Sequence, residues 1–285
     1  TDEKGTTGIG ECSIIAGLSI ENPEAFERKL NHVAEKFSEY ENYHESLVEF
    51  PAIRFGVETA LLDLKTGGKR ELFPTDFTLK QKPLAINGLV WMGDRPFMSS
   101  KVKEKIAAGF RCIKLKIGAL DFEQELEIIK SIRNEYSAND IEIRVDANGA
   151  FSLDDALEKL ARLSELDLHS IEQPIKQGQV DEMAALCMFS PLDIALDEEL
   201  IGIHSIEKKR ELLEIIQPQY IILKPSLLGG FKASDEWISL AKNHEINYWN
   251  TSALEANIGL NAISQWSSSL NNPLPQGLGT GGLYS

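Results

Sequence analysis

Three acidic side chains recur along the chain at nearly equal intervals, each directly after a short apolar segment. Asp146, Glu172 and Asp197 are 26 and 25 residues apart. If the apolar segments are neighbouring strands, which lie about 4.8 Å apart, these carboxylates can converge on one ion. One such carboxylate alone could be structural, in a salt bridge or at a helix N-terminus, but the series of three predicts a metal site.

The ligand types in this series indicate magnesium. Without a cation, three close carboxylates would repel one another and some would be protonated. Mg²⁺ takes hard oxygen ligands and leaves coordination positions for water or substrate oxygens. No His or Cys stands at the three positions, which argues against zinc. We therefore expect Mg²⁺, with Mn²⁺ as a substitute.

Lysines end two further apolar segments, in Lys114-Leu115-Lys116 and at Lys224. Lys114 and Lys116 are two residues apart, so both point to the same face of a strand. A lysine close to a cation and to a second lysine binds its proton less tightly and can act as a general base. Such a site supports removal of a proton next to a metal-bound carboxylate, with the metal stabilising an enediolate. The alternative is that Lys114 and Lys224 only pair with the carboxylates.

Eight apolar, β-rich segments recur at a nearly even interval and predict the strands that carry these residues. Amphipathic stretches separate them, such as residues 121–136 and 152–166, whose apolar positions have helical spacing. This alternation predicts a parallel α/β sheet, and eight strands favour a (β/α)8-type, TIM-like barrel of the (β/α)7β kind. A doubly wound sheet is the second choice, although no glycine-rich nucleotide-binding motif follows any strand. The strands are predicted to begin near Leu84, Arg111, Ile141, His169, Leu192, Tyr220, Ile246 and Pro275.

The barrel prediction places the charged residues together. Active sites of β/α barrels lie at the carboxyl ends of the strands, where all these side chains stand. The second and sixth strands face each other in an eight-stranded barrel, so Lys116 and Lys224 would lie on opposite sides of a substrate.

Residues 1–82 differ from the rest and predict a smaller α+β capping domain, with residues 83–285 forming the barrel. We expect one helix from Asn22-Pro23 to about Ser38, a second helix over 51–65, and strand material within 1–20. The chain opens with Thr1, and only seven residues precede the GIGEC segment. The capping domain is therefore expected to be incomplete at its N-terminus.

The overall composition restricts the partners. The formal net charge of −15 argues against nucleic acid and anionic membranes, because their phosphates would be repelled. Three cysteines without a CxxC pair are expected to be reduced thiols of a cytoplasmic protein. No apolar run reaches the roughly 18 residues of a membrane helix. We expect a small-molecule carboxylate as the substrate, and the sequence leaves the oligomeric state open.

Several motifs carry a family resemblance that covers essentially the whole chain. They are KLK at 114–116, RVDAN ending at Asn148, IEQP from Ile171, ALDEE from Ala195 and KPSLLGG from Lys224. These motifs resemble the muconate-lactonising branch of the enolase superfamily. Within that branch the chain is most similar to the o-succinylbenzoate synthase family of menaquinone biosynthesis, through residues 85–93, 194–202 and 251–259.

The resemblance implies a role for each matching residue. Asp146, Glu172 and Asp197 match the metal ligands, and Lys116 matches the base that removes the proton. Lys224 matches a cation that faces the intermediate. Lys114 matches a supporting residue, and the positions expected near the metal or the substrate are Asn148, Glu198, Ser226, Ser252, Gly279 and Thr280.

Some of these positions have structural alternatives. Glu198 could simply begin a helix, Ser252 could be an N-cap, and the glycine-rich segment 277–284 could be a turn that closes the barrel. The same segment is expected to form the eighth strand, where its backbone N–H groups could bind a carboxylate of the succinyl chain.

The implied reaction is the dehydration of a succinyl-hydroxycyclohexadiene carboxylate to o-succinylbenzoate. The same site could serve an N-succinylamino-acid racemase, a dipeptide epimerase or a muconate cycloisomerase. Segment 277–284 contains no Asp-x-Asp pair, which lowers the expectation of a dipeptide epimerase. A non-catalytic binding protein is a different class, and the intact set of charged residues argues against it.

Overall fold

The computed structural model describes residues 1–40 and 42–283, so Glu41, Tyr284 and Ser285 lie outside the described residues. Seven parallel strands form one curled sheet in which each strand pairs with the next along the chain. Most strand positions are buried because helices cover the sheet. The strands are β1 Gly88–Val90, β2 Cys112–Lys116, β3 Glu142–Asp146, β4 Ser170–Glu172, β5 Ile194–Leu196, β6 Tyr220–Leu223 and β7 Asn247–Asn250.

The sheet confirms the first seven predicted strands, and the eighth is corrected. Gln276 makes a parallel bridge to Ile86 before β1, and Gly277 makes one to Thr251 after β7, so this segment touches both edges of the sheet. Residues Gly279–Leu283 then form a 3₁₀ helix rather than a strand. Glycines lack side chains that would pack a strand, so the ladder ends after two bridges. The predicted end of this strand, Tyr284, lies outside the described residues.

Helices alternate with the strands, and they are also the main secondary structure before β1. The helix predicted from residue 121 begins after Asp121, whose carboxylate caps the amide of Glu123. The helix predicted from residue 152 begins four residues later, because Asp155 accepts a hydrogen bond from the Ser152 hydroxyl at 2.8 Å in the preceding turn. The helices are α1 Pro23–Glu35, α2 Tyr43–Ser46, α3 Pro51–Lys65, α4 Asp76–Lys80, α5 Arg95–Ala107, α6 Phe122–Glu135, α7 Ala156–Ser164, α8 Val180–Phe189, α9 Ile206–Ile216, α10 Pro225–Leu228, α11 Phe231–Asn243 and α12 Asn257–Ser269.

The N-terminal part is helical, and the strand material predicted within residues 1–20 is not found there. No neighbouring strand pairs with this segment in the described part of the chain. Its backbone is held by side chains instead, as where the Ile9 amide donates to Asp63 at 3.0 Å. The helix at Asn22-Pro23 is confirmed and ends at Glu35, and α3 matches its predicted bounds.

Aromatic packing joins α3 to the sheet-covering helices. Phe231, at the start of α11, contacts the rings of Phe55, Phe73 and Trp266 with centroids 5.2–5.5 Å apart. Phe55, Phe231 and Trp266 belong to the large apolar core that also includes the strand residues of the sheet. The N-terminal helices are therefore fixed against the side of the sheet that carries β6 and β7.

Candidate active site at the carboxyl ends of the strands

The strand register brings the three predicted metal-ligating carboxylates together. Lys116 is paired with Asp146 across β2 and β3, and Asp146 with Glu172 across β3 and β4. Asp197 directly follows β5. One oxygen from each of the three carboxylates lies within 4.8 Å of the others, and all three side chains are buried. The predicted convergence is therefore present.

The three predicted lysines lie against these carboxylates. Lys114 Nζ is 2.9 Å from Asp146 Oδ2 and also donates to Glu172. Lys116 Nζ donates to the same Asp146 oxygen at 2.5 Å, while Lys224 donates to Asp197. Three lysine side chains thus lie against three carboxyl groups in one largely buried cluster.

The electrostatics of the cluster depend on burial and on these pairs. Burial raises the pKa of Glu172 to about 8, because the charged form is poorly solvated. Burial acts the same way on Asp146, but Lys114 and Lys116 outweigh it and lower its pKa. Burial disfavours charged Lys114 and Lys224, yet the neighbouring carboxylates outweigh it and raise both pKa values. The expected loss of lysine basicity depends on a bound cation close to the ammonium groups, so it stays a prediction.

The donor set fits a divalent cation. Glu172 Oε1 is buried and has no hydrogen-bond partner among the described residues. Such an atom is costly unless a ligand uses it. Its neighbours in the cluster are further hard carboxylate oxygens, which suit cations such as Mg²⁺ and Mn²⁺ rather than thiophilic metals.

Asn148 and Glu198 extend the cluster toward the opening. The Asn148 carboxamide accepts from Lys116 Nζ at 2.6 Å and donates to Glu198 at 2.7 Å. The backbone amide of Asn148 donates to the Asp146 carboxylate at 3.0 Å. Glu198 also starts a short 3₁₀ helix, so the structural role considered for it in the sequence, the start of a helix, is present as well. Burial raises the pKa of Glu198, as does the adjacent charge of Asp197.

Ser226 and Ser252 share a partner that sequence reasoning missed. Both hydroxyls donate to the carboxylate of Glu255, which is 1% exposed and also accepts from the Ala253 amide at 2.8 Å. Ser252 is therefore not an N-cap, and α12 starts only after Ala256. The sequence signal was present in the TSALEANIG segment, but the contact with Ser226 spans 29 residues.

Gln173 is a second residue that sequence reasoning left without a role, although it stands within the IEQP motif. Its side-chain oxygen accepts from the amides of Asp197 and Glu199, at 3.2 and 3.3 Å. Its side-chain nitrogen donates to the Glu199 carboxylate at 3.0 Å. The buried carboxamide thereby ties the end of β4 to the segment that presents Asp197.

A cavity of about 260 Å³ opens above the cluster. Thr251 and Thr280 line it with hydroxyls that are buried and lack a hydrogen-bond partner among the described residues. Gly279 is not part of this lining within the described chain and instead lies against the Asn87 carbonyl. The lining residues are Ile15, Leu18, Leu89, Trp91, Lys114, Lys116, Asn148, Glu198, Lys224, Thr251, Ser252, Ala253, Leu254 and Thr280.

Comparisons with known proteins agree on this fold. Residues 98–281 match the family described as enolase C-terminal domain-like. The o-succinylbenzoate synthase of Desulfotalea psychrophila is 46% identical over 316 aligned positions, which cover all of this chain and 86% of the relative. The crystal structure of MenC from Desulfotalea psychrophila LSv54 superposes with a TM-score of 0.86 at 45% identity, covering 97% of this chain and 85% of the other.

More distant relatives share the architecture. The N-succinylamino acid racemase of Thermus thermophilus is 34% identical over 158 residues, 55% of this chain and 40% of the relative. The muconate cycloisomerase of Pseudomonas fluorescens has a TM-score of 0.82 at 23% identity, covering 98% of this chain and 80% of the other. The second similarity concerns the fold alone.

Proposed function

The chain belongs to the enolase C-terminal domain-like family, and we propose that it is an o-succinylbenzoate synthase. The observation that carries the proposal is the 46% identity to the Desulfotalea synthase over the whole chain, together with the cluster of lysines and carboxylates. The reaction is the dehydration of 2-succinyl-6-hydroxy-2,4-cyclohexadiene-1-carboxylate in menaquinone biosynthesis, and we place the enzyme in the cytoplasm.

We assign residues 83–285 to a (β/α)7β barrel and residues 1–82 to its capping domain. The two bridges of Gln276 and Gly277 support closure of the sheet by a very short eighth strand. The packing of α3 against α11 supports a cap that stays attached to the barrel.

Asp146, Glu172 and Asp197 would hold Mg²⁺. When bound there, the ion supplies the positive charge that stabilises an enediolate of the substrate carboxylate. The backbone amide of Asn148 donates to the Asp146 carboxylate, and the Gln173 side chain accepts from the Asp197 backbone amide. These two hydrogen bonds hold two of the three ligands in place. Lys114 lies between Asp146 and Glu172 and would hold their orientation.

Lys116 is the proposed base. It breaks the carbon–hydrogen bond next to the substrate carboxylate by taking the proton. The carbon–oxygen bond of the ring hydroxyl then breaks, and Lys116 returns the proton to the leaving oxygen, which departs as water. Lys224 would remain an ammonium group that faces the developing negative charge, in line with its raised pKa.

A racemase acting on N-succinylamino acids is the second candidate. It is favoured by one observation, that Lys116 and Lys224 both line the same cavity and could serve as two bases. The Thermus racemase aligns with only 55% of this chain, which places this candidate second.

The test is a steady-state assay with Mg²⁺ and the cyclohexadiene substrate, which follows the aromatic product. We expect turnover by the wild type and a loss of about 10²–10⁴-fold in kcat for Lys116→Ala, the contribution that proton transfer by a positioned side chain typically makes. Lys130→Ala, on the outer face of α6, is the matched lysine control. A wild type that is inactive here but exchanges the α-proton of N-succinylamino acids would favour the racemase instead.

A further inference from the structure

The cavity has an apolar side that the proposed chemistry does not use. Leu89 in β1 and Trp91 just after it are two residues apart, and both line the cavity. Ile15 and Leu18 of the N-terminal segment line it as well. Charged side chains stand at the ends of β2 to β6, whereas the end of β1 presents a leucine and an indole.

Trp91 differs from the other tryptophans of the chain. It is the aromatic member of the cavity lining within the described residues, and its ring centroid lies 5.8 Å from Lys116 Nζ. Its side chain is 43% exposed, while Trp237, Trp249 and Trp266 are at most 1% exposed. The indole ring and the Lys116 ammonium group therefore lie close together in the same cavity.

We propose that Trp91 is a specificity-determining residue that stacks on the six-membered ring of the substrate. The inference rests on the proposed synthase function, because that substrate carries a cyclic diene and becomes aromatic during the reaction. Flat π-systems stack favourably on tryptophan. The ring flattens as water leaves, so the contact strengthens toward the transition state and favours cyclic dienes over substrates with aliphatic side chains.

A shielding role would have different consequences. If Trp91 only kept water away from Lys116, its loss would weaken the reaction of every substrate equally. If it stacks on the ring, its loss weakens the binding of aromatic ligands more than the binding of saturated ligands. The ratio of two inhibition constants separates these cases, and a structural disturbance would not change that ratio.

The experiment compares wild type with Trp91→Phe, Trp91→Leu and Phe97→Leu, in the presence of Mg²⁺. Phe97 is the control because its side chain is also 43% exposed, but it does not belong to the described cavity lining. Two inhibitors are used, o-succinylbenzoate and its saturated counterpart 2-succinylcyclohexane carboxylate. Tryptophan fluorescence is recorded during titration with o-succinylbenzoate.

We expect Trp91→Leu to raise the inhibition constant of o-succinylbenzoate about 3- to 10-fold, the usual size of an aromatic pair. The constant of the saturated inhibitor should rise less, so that the ratio of the two constants changes. Trp91→Phe should keep most of the aromatic preference but lose the fluorescence change, since the remaining tryptophans are buried.

Equal effects on both inhibitors, or a fluorescence change that persists in Trp91→Phe, would overturn the inference. Turnover of the cyclohexadiene substrate by the wild type tests the synthase function separately. The wild type could turn over this substrate while Trp91→Leu keeps the full aromatic preference. In that case the synthase function stands and only the role of Trp91 is excluded.

Discussion

The hydroxyl of Ser252 donates to the carboxylate of Glu255 at 2.5 Å, so the one proton of this serine is already engaged in a hydrogen bond. Ser226 donates to the other oxygen of the same carboxylate. Ser252 can therefore offer only lone pairs to a ligand, although it lines the cavity. Glu255 thereby links two segments. One contains Ser226 and begins next to Lys224 after β6, and the other contains Ser252 after β7.

Ser252→Ala should thus change substrate binding little. We expect KM to stay within about threefold of the wild type and the free energy of unfolding to fall by about 1 kcal/mol, the usual net value of one hydrogen bond. Steady-state kinetics and urea denaturation measure the two effects. An increase in KM beyond tenfold would mean that the hydroxyl donates to the substrate after all.

Glu255→Gln is the stronger perturbation at the same place. The carboxylate accepts three hydrogen bonds, from two serine hydroxyls and the Ala253 amide. A glutamine amide group donates at one end, so one donor loses its acceptor, which costs about 1–3 kcal/mol. We expect lower stability and a fall in kcat with little change in KM, because the segment that carries Lys224 is displaced. An unchanged kcat at lower stability would assign Glu255 a purely structural role.

Removing one carboxylate from the cluster should abolish stabilisation by the metal. A ligand that binds the native state alone raises stability by mass action. We expect Mg²⁺ to raise the Tm of the wild type and to have no effect on Glu172→Gln, which lacks an ionised oxygen at the buried unpartnered position. Scanning fluorimetry over a MgCl₂ series provides the measurement, with exposed Glu158→Gln on α7 as the control. An identical Mg²⁺ response in both variants would contradict the metal site.

Much of this site follows from the sequence because it depends on a repeat. Lys116, Asp146 and Glu172 end successive strands of one parallel sheet, and the period of strands and helices is visible as alternating patterns. The role of Glu255 depends on a contact between two loops far apart in sequence, for which no local pattern exists. The 3₁₀ helix at Gly279–Leu283 was missed for a related reason, since glycine tolerates many conformations and only the surrounding packing selects one.

Glu58 should give the protein a measurable pH dependence of stability. Its carboxylate accepts from the amides of Phe231 and Lys232 at the start of α11. Burial raises the pKa of Glu58 to about 7, against the lowering effects of these two amides and of Arg54, while Asp235 raises it further. The folded chain therefore binds more protons than the unfolded chain between about pH 4.5 and 7. The free energy of unfolding contributed by this group falls as pH rises through that window, by about 3 kcal/mol in total.

Glu58→Gln keeps one of the two acceptor oxygens and cannot ionise, so the pH dependence of the difference in stability between the two proteins isolates this titration. We expect the variant to be the less stable protein at pH 5, and the difference to shift in favour of the variant as the pH rises to 8. Urea denaturation at half-unit pH steps measures the difference, and groups that titrate equally in both proteins cancel. Parallel stability curves for wild type and variant would show that Glu58 keeps an ordinary pKa.

Glu11 connects the N-terminal segment to one of the helices that cover the sheet. Its carboxylate accepts from the amides of Ala256 and Gly259, both at 2.7 Å, and so caps the N-terminus of α12 from far away in sequence. An acidic cap of this kind is worth about 0.5–2 kcal/mol through its hydrogen bonds and the helix dipole. We expect Glu11→Ala to lower the free energy of unfolding by that amount, and Glu11→Gln by less, because the amide still accepts one bond. Glu3→Ala, an exposed acidic residue of the same segment, is the control in urea denaturation, and equal stabilities of Glu11→Ala and Glu3→Ala would exclude the capping role.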